Sequence, residues 1–430
     1  TRISYRGLSY RLLTFAHHRR AIPRTRRVSW FHCQRHHHGP SSVTANASDW
    51  HLPHTSHQAV AAKVDRHLGY TLTPLAQRLQ QVIATEGPIS VARYMDLCLN
   101  DPVHGYYRTS APIGARGDFV TAPEISQMFG ELIGLWCAVT WRQMGTPTPL
   151  RLVELGPGRG TLMKDALRAI AAEPLFHAAL TVHLVETGNR LRATQVECLA
   201  GQAIEWHENL SEVPEGPILL IANEFFDTLP IHQYERTDVN WHERLVTSGK
   251  NGFTYILATK PSTLDRLGRV GDVFEQAPAR LDYMADIAAR IEAGGGAALI
   301  IDYGHGKNAN GDTLQAVRAH KTQPVFAEPG LTDLTSHVDF QALARTAAHE
   351  TAVHGPVRQG KFLRTLGIET RAALLQRDAT PANAHDIESA LRRLTDSQQM
   401  GDLFKVLALT VKGAPVPAGF ENLVTGGRTW

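Results

Sequence analysis

Apolar positions along this chain follow two rhythms, and the way the two alternate decides the fold class. Short continuous apolar runs at 152–155, 182–185, 218–222 and 297–301 have the length of strands buried on both faces. Between the first of them lie stretches with helical spacing, over 162–170 and 191–199. Strands that alternate with helices need crossover connections, so the pattern predicts an α/β domain on a mostly parallel sheet with helices on both faces. A last apolar run, 404–410, completes that sheet.

Upstream of the first strand the rhythm is helical. Leu75, Leu79, Val82 and Ile83 share one face of a helix that starts at Thr73-Pro74 and stops at Gly87-Pro88, and Ser90 caps a second helix carrying Tyr94, Met95 and Leu97. A loop through 105–118 leads to Thr121 and Glu124 at capping-box spacing, then to a helix through Phe129, Leu132, Ile133 and Trp136. Before the strand at 297 sits an insertion at about 231–290, where apolar runs at 241–246 and 253–257 flank Gly249-Lys250-Asn251-Gly252, a hairpin signal. The resulting organisation is an extension over 1–70, a helical segment over 71–149, a core over 150–416 and a tail over 417–430.

Composition narrows the partners. With 44 basic and 41 acidic residues the formal charge is only +3, so a nucleic-acid partner is not expected. Cys33, Cys98, Cys137 and Cys198 lie far apart without a Cys-x-x-Cys pair, which points to a reducing compartment and no structural metal. No apolar run approaches the roughly 18 residues of a membrane-spanning helix, so no membrane insertion is expected. The first 48 residues hold nine arginines and no acid, the composition of an organellar transit peptide or of a disordered extension. The stretch 311–316 has a bacterial character, which favours a bacterial cytoplasm, with the mitochondrial matrix as the alternative if the extension is a transit peptide.

The chemistry begins at Glu154-Leu155-Gly156-Pro157-Gly158-Arg159-Gly160, between a strand and a helix. Glycines let the backbone turn tightly and approach a ligand, and free N–H groups at the helix start favour an anionic group. A nicotinamide dinucleotide fingerprint would put its third glycine at position 161, where Thr161 stands. The spacing instead resembles the first motif of class I methyltransferases, which implies that Glu154, Gly156, Gly158 and Gly160 hold the methionine part of S-adenosylmethionine. Glu186, ending the second strand, is then the acid for the ribose, since two vicinal hydroxyls are two donors and a carboxylate offers two acceptors. Trp206 stands where adenine is commonly contacted, with an aromatic face to offer.

After the 218–222 strand comes Asn223-Glu224-Phe225-Phe226-Asp227, at the carboxyl edge of the sheet where such folds bind ligands. Asn223 is a cofactor-binding candidate. An arginine acceptor would need a carboxylate to hold its guanidinium, which makes Glu224 the first catalytic candidate and Asp227 the second.

Together with Asp101-Pro102-Val103-His104-Gly105-Tyr106-Tyr107, the 117–127 stretch, Asp302-Tyr303-Gly304, the 333–340 and 359–363 stretches and 400–407, these blocks resemble the MidA-like methyltransferases from about Leu72 to Val416. The resemblance implies a Rossmann-like class I methyltransferase with a seven-strand sheet and an N-terminal helical segment closing over the cofactor. For the family's mitochondrial members it implies symmetric dimethylation of an arginine in a respiratory complex I (NADH dehydrogenase) subunit. One departure is Gln233, nine residues beyond Glu224, where other arginine methyltransferases carry a second glutamate; His337 and Asp339 are the alternative polar contacts. A different acceptor (small molecule, RNA or another protein nitrogen) and a noncatalytic assembly chaperone are the competing readings.

Overall fold

The computed structural model describes residues 72–109 and 121–421; the arginine-rich extension, the 117–120 part of the family motif and the 422–430 end of the tail lie outside the described residues. At its centre are seven strands: β1 (Leu150–Leu155), β2 (Leu180–Val185), β3 (Ile204–His207), β4 (Ile218–Asn223), β5 (Gly296–His305), β6 (Ala352–Arg358) and β7 (Phe404–Thr410). They lie in the order β6-β7-β5-β4-β1-β2-β3, and the short strand Val338–Asp339 pairs with the far end of β5. Neighbours from β5 to β3 are parallel, while β7 runs antiparallel to both β5 and β6.

Side chains alternate across this sheet and fill two cores. Leu152, Leu219, Ile221, Leu299 and Ile301 enter one apolar cluster, and Val153, Leu155, Leu220, Ala222, Ala298 and Ile300 enter the other. Two buried faces explain why these strands read as continuous apolar runs rather than alternating ones.

The helices that bear on the sheet and on the crevice at its edge include α1 (Pro74–Glu86), α2 (Val91–Asn100), α3 (Gln127–Gln143), α4 (Thr161–Ile170), α5 (Asn189–Cys198) and α6 (Pro278–Gly294). Thr73 and Ser90 cap α1 and α2 by accepting from the backbone N–H groups of Ala76 and Arg93, at 3.0 and 3.1 Å. Both helices bury their apolar stripes with Ile231 and Val246 of the insertion. Ile89 and Ser90 also pair with Val246 and Leu245, so the N-terminal segment is hydrogen-bonded to the inserted sheet. That sheet contains the expected hairpin, with Trp241–Gly249 and Gly252–Pro261 joined through Lys250-Asn251, and its strands end at Gln276. Helix α6 packs Met284, Ile287, Ala288 and Ile291 into the core, which makes it a crossover helix of the central fold rather than part of the inserted sheet.

Helix α4 leaves the glycine loop, so its seat sets the loop's position. Its partner α3 presents two glycines one turn apart. A Cβ at Gly134 would lie 2.5 Å from the backbone oxygen of Ala166, and one at Gly130 would lie 2.6 Å from Cβ of Asp165. The two helices therefore touch through backbone, which leaves no flexible side chain to yield. Gly134→Ala is expected to lower stability by about 1–3 kcal/mol, the usual cost of overpacking. Chemical denaturation checks this, and an unchanged midpoint would show that the helices can part without cost.

Candidate active site

Strand order reverses between β1 and β4, and a parallel sheet opens a crevice at such a point beyond the carboxyl ends of its strands. The loop leaving β1 takes positive φ at Gly156 (59°), Gly158 (54°) and Gly160 (81°), the left-handed region that β-carbons disfavour. At Gly156 a Cβ would also meet Cδ2 of Phe225 at 2.9 Å, so the loop lies directly against the segment that leaves β4.

A cavity of about 320 Å³ occupies this crevice. Its lining includes Glu154, Gly156, Gly158, Glu186, Asn223 and Glu224, together with Tyr107 and Arg108 of the N-terminal segment. Two of its acceptors, Oε2 of Glu154 and Oδ1 of Asn223, are buried without a hydrogen-bond partner. Burial pushes the Glu154 carboxyl up to about 8. Unpaired acceptors in a glycine-lined cavity fit a ligand rich in donors and positive charge, and S-adenosylmethionine, with its ammonium, sulfonium and ribose hydroxyls, is such a ligand.

Glu186 is held in place by two donors. Its Oε1 accepts from the N–H of Gly188 at 2.7 Å and its Oε2 from Nε2 of Gln195 at 3.2 Å, while burial keeps its pKa raised. The same Gln195 nitrogen donates to the carbonyl of Gly158 at 2.7 Å, so one amide ties the glycine loop to the β2 acid. Trp206 completes the chain: its indole N–H donates to Oε1 of Gln195 at 2.9 Å. The expected adenine-stacking residue is thus not among the cavity-lining residues. It fixes which end of the Gln195 amide faces the acid, because a flipped amide would set oxygen against oxygen.

Glu224 lines the same cavity. Its φ is +49°, a left-handed conformation that costs a non-glycine residue about 1–3 kcal/mol. Its N–H donates to the carbonyl of Ile301 at 2.9 Å, which anchors it to β5. Its Oε1 accepts from the N–H of Ala122 at 3.1 Å and from Nδ2 of Asn223 at 3.2 Å. Burial, with the neighbouring Asp227 adding to it, raises the carboxyl to about 7.

The other sequence candidates lie elsewhere. Asp227 is buried and is not among the cavity-lining residues. Its N–H donates to Oδ2 of Asp302 at 3.1 Å, and its carboxylate accepts from the Tyr303 hydroxyl. The buried guanidinium of Arg280 balances these two acids while donating to Ser336 Oγ at 2.6 Å and to the His337 carbonyl at 2.7 Å. His337 is held neutral, its pKa lowered to about 4 chiefly by burial. Asp339 caps the helix Phe340–Ala347, and Gln233 of the inserted sheet donates to Glu275 of that sheet and to Asp312, which follows β5. Glu124 is reached by the Thr161 hydroxyl rather than completing a capping box, since Thr121 makes no side-chain cap bond.

Sequence reasoning misses Gln195, although a signal is there. It lies between Leu191 and Leu199 on the inward stripe of α5 and its immediate extension, and a fully buried amide on an apolar stripe needs specific partners. Gln195→Leu and Trp206→Phe are each expected to weaken binding of S-adenosyl-homocysteine by about tenfold, the effect of leaving one buried polar group unsatisfied. In calorimetry the double variant should bind no worse than Gln195→Leu; additive losses would mean that the indole and the amide act independently.

Comparison with known proteins agrees with this geometry. Residues 132–357 match a family described as "Putative S-adenosyl-L-methionine-dependent methyltransferase". The Drosophila melanogaster protein named mitochondrial protein arginine methyltransferase NDUFAF7 homolog is 38% identical over 370 residues, which cover 78% of this chain and 84% of that one. The Homo sapiens protein named mitochondrial protein arginine methyltransferase NDUFAF7 is 35% identical over 369 residues, 79% of this chain and 83% of that one. A crystal structure from Burkholderia thailandensis with S-adenosyl-homocysteine bound has a TM-score of 0.71 at 28% identity, covering 83% of this chain and 95% of that one. Sheet order, loop and sequence therefore lead to one conclusion: this chain belongs to the MidA-like family of S-adenosylmethionine-dependent methyltransferases.

Proposed function

We propose that the chain methylates an arginine guanidinium in a protein, with a respiratory complex I subunit as the substrate and symmetric dimethylarginine as the product. The observation that carries this reading is Glu224, a carboxylate held on strained backbone inside the cavity that the glycine loop and Glu186 also line. The relatives named as mitochondrial arginine methyltransferases support it. Their names, with the acid-free first 48 residues, also favour the mitochondrial matrix over a bacterial cytoplasm. Among the described residues no helix is long and apolar enough to cross a membrane.

When bound, S-adenosylmethionine supplies an electrophilic methyl group on sulfur. Glu154, the glycine loop, Glu186 and Asn223 would hold it, and Tyr107 and Arg108 bring the N-terminal segment to the same cavity. The rest falls to Glu224. Its Oε1 is fixed by two donors, and its Oε2 has no hydrogen bond among the described residues, which leaves it for a guanidinium N–H. A carboxylate in that place orients the guanidinium and draws positive charge toward one side, leaving electron density on the attacking nitrogen. Because burial brings its pKa close to neutrality, the same group can receive the proton that the nitrogen sheds.

Two outcomes are expected. Glu224→Gln should bind S-adenosyl-homocysteine like the parent yet lose methyl transfer by at least about a hundredfold, the scale of a lost acid–base group. Since only the ionised carboxylate holds a cation, kcat/KM for the acceptor should fall by about tenfold per pH unit below 7, where Glu224 becomes protonated. Isotope-labelled cofactor and mass spectrometry of a respiratory subunit supply the readout, and label found in RNA or in a small molecule would overturn the arginine assignment.

A further inference from the structure

We propose that His183, Glu205 and His207 form a binding site for a divalent transition-metal cation of the zinc class, at the edge of the sheet behind the cofactor pocket. His183 is on β2 and the other two are on β3, the last strand of the sheet, with His183 in register with Glu205 and Val185 with His207. Residues 205 and 207 fall on one face and Trp206 on the other, as the two-residue period of a strand requires.

The ligand atoms already converge. Nδ1 of His183 is 3.0 Å from Nε2 of His207 and 3.6 Å from Oε2 of Glu205, and all three ligating atoms lie within 4.8 Å of one another. Two imidazoles and a carboxylate are a ligand set that zinc takes at about 2.0–2.2 Å per bond, with a fourth position for water. The other ring nitrogen of His183 lies 2.9 Å from the Thr181 hydroxyl, an outer partner of the sort that orients a metal-binding imidazole. Exposed Glu205 opens the site to solvent while His183 is buried.

Charge around the site suits the chemistry. Burial lowers the pKa of His183, with His207 and Arg151 adding to the effect and Glu205 opposing it. Two neutral imidazoles carry one N–H each, so a metal at the facing nitrogens requires both protons on the far ones. That arrangement is a choice of tautomer and releases no net proton. Arg151 is the like charge nearby, and Glu205 offsets it.

The site bears on the cofactor pocket through β3. The carbonyl of His207 accepts from the N–H of Glu186 at 2.9 Å, Trp206 holds Gln195, and Glu208 lines the cavity. An ion here clamps the strand that carries Trp206 and His207 and leads directly into Glu208. This proposal does not rest on the arginine assignment, and its readout needs no methyl transfer.

The test uses the full chain with His36, His37 and His38 changed to Gln, so that this tract cannot compete for metal. After chelator treatment it is titrated with Co²⁺ and followed by visible absorption. One equivalent should bind with the intense bands of a four-coordinate site. His207→Ala should weaken binding by at least about tenfold, and Thr181→Val by about tenfold, as loss of an outer partner does. Glu205→Gln, at an exposed position, should also weaken binding and keeps the test decisive if His207→Ala does not fold. Identical titrations for the parent and Glu205→Gln, or the absence of a four-coordinate spectrum, would overturn the proposal.

Discussion

The structure depends on a concentration of buried carboxylates at one edge of one sheet. Glu154, Glu186, Glu224 and Asp302 stand at or near the carboxyl ends of β1, β2, β4 and β5, four adjacent strands, and burial raises the pKa of each. Of the four, Asp302 has a fully buried cation, Arg280, close by. The sign of the resulting linkage is set by the direction of those shifts. A carboxyl raised above its unfolded value favours the folded state while protonated, and that contribution is lost as pH climbs from about 4.5 through about 7 to 8. Near neutrality the ligand-free fold is therefore strained by its own acids, and cationic ligands relieve that strain. S-adenosylmethionine and the guanidinium proposed as acceptor are both cations, so on that proposal binding and folding share a common source.

Geometry packs this edge tightly around one cavity. The left-handed glycines bring the β1 loop against Phe225, so the chain leaving β4 is pressed between the loop and β5. Asn223 and Glu224 are consecutive, and Glu224 is tied both to Ile301 of β5 and to Ala122 of the N-terminal segment. A contact from that segment thus reaches the Glu224 carboxylate directly. The same segment is paired to the inserted sheet through Ile89 and Ser90, so wall, hairpin and acid form one connected unit.

Much of this is legible in the sequence, and the reasons are local. Strands buried on both faces produce continuous apolar runs, and the class-defining ones can be placed for that reason. The glycine loop is legible because positive φ at alternating positions leaves little choice of residue. Neighbourhood alone points to Asp227 and Trp206, yet one turns into a buried network with Arg280 and Tyr303 and the other into an indole–amide bond. Linear distance does not encode which way a side chain turns at the end of a strand. Gln195, Arg280 and Tyr303 escape such a reading because their partners lie 9 to 76 residues away in sequence. The short strands over 315–335 carry too few apolar residues to show a period.

The left-handed backbone at Glu224 sets two demands on one position against each other. Glycine would sit there comfortably, and glutamate does not. Selection for thermal robustness alone, in a laboratory or in a lineage released from its task, would drift away from the carboxylate. With Glu224 in its proposed role, a descendant could become sturdier while falling silent as a catalyst, and position 224 would be an early place to look for that change.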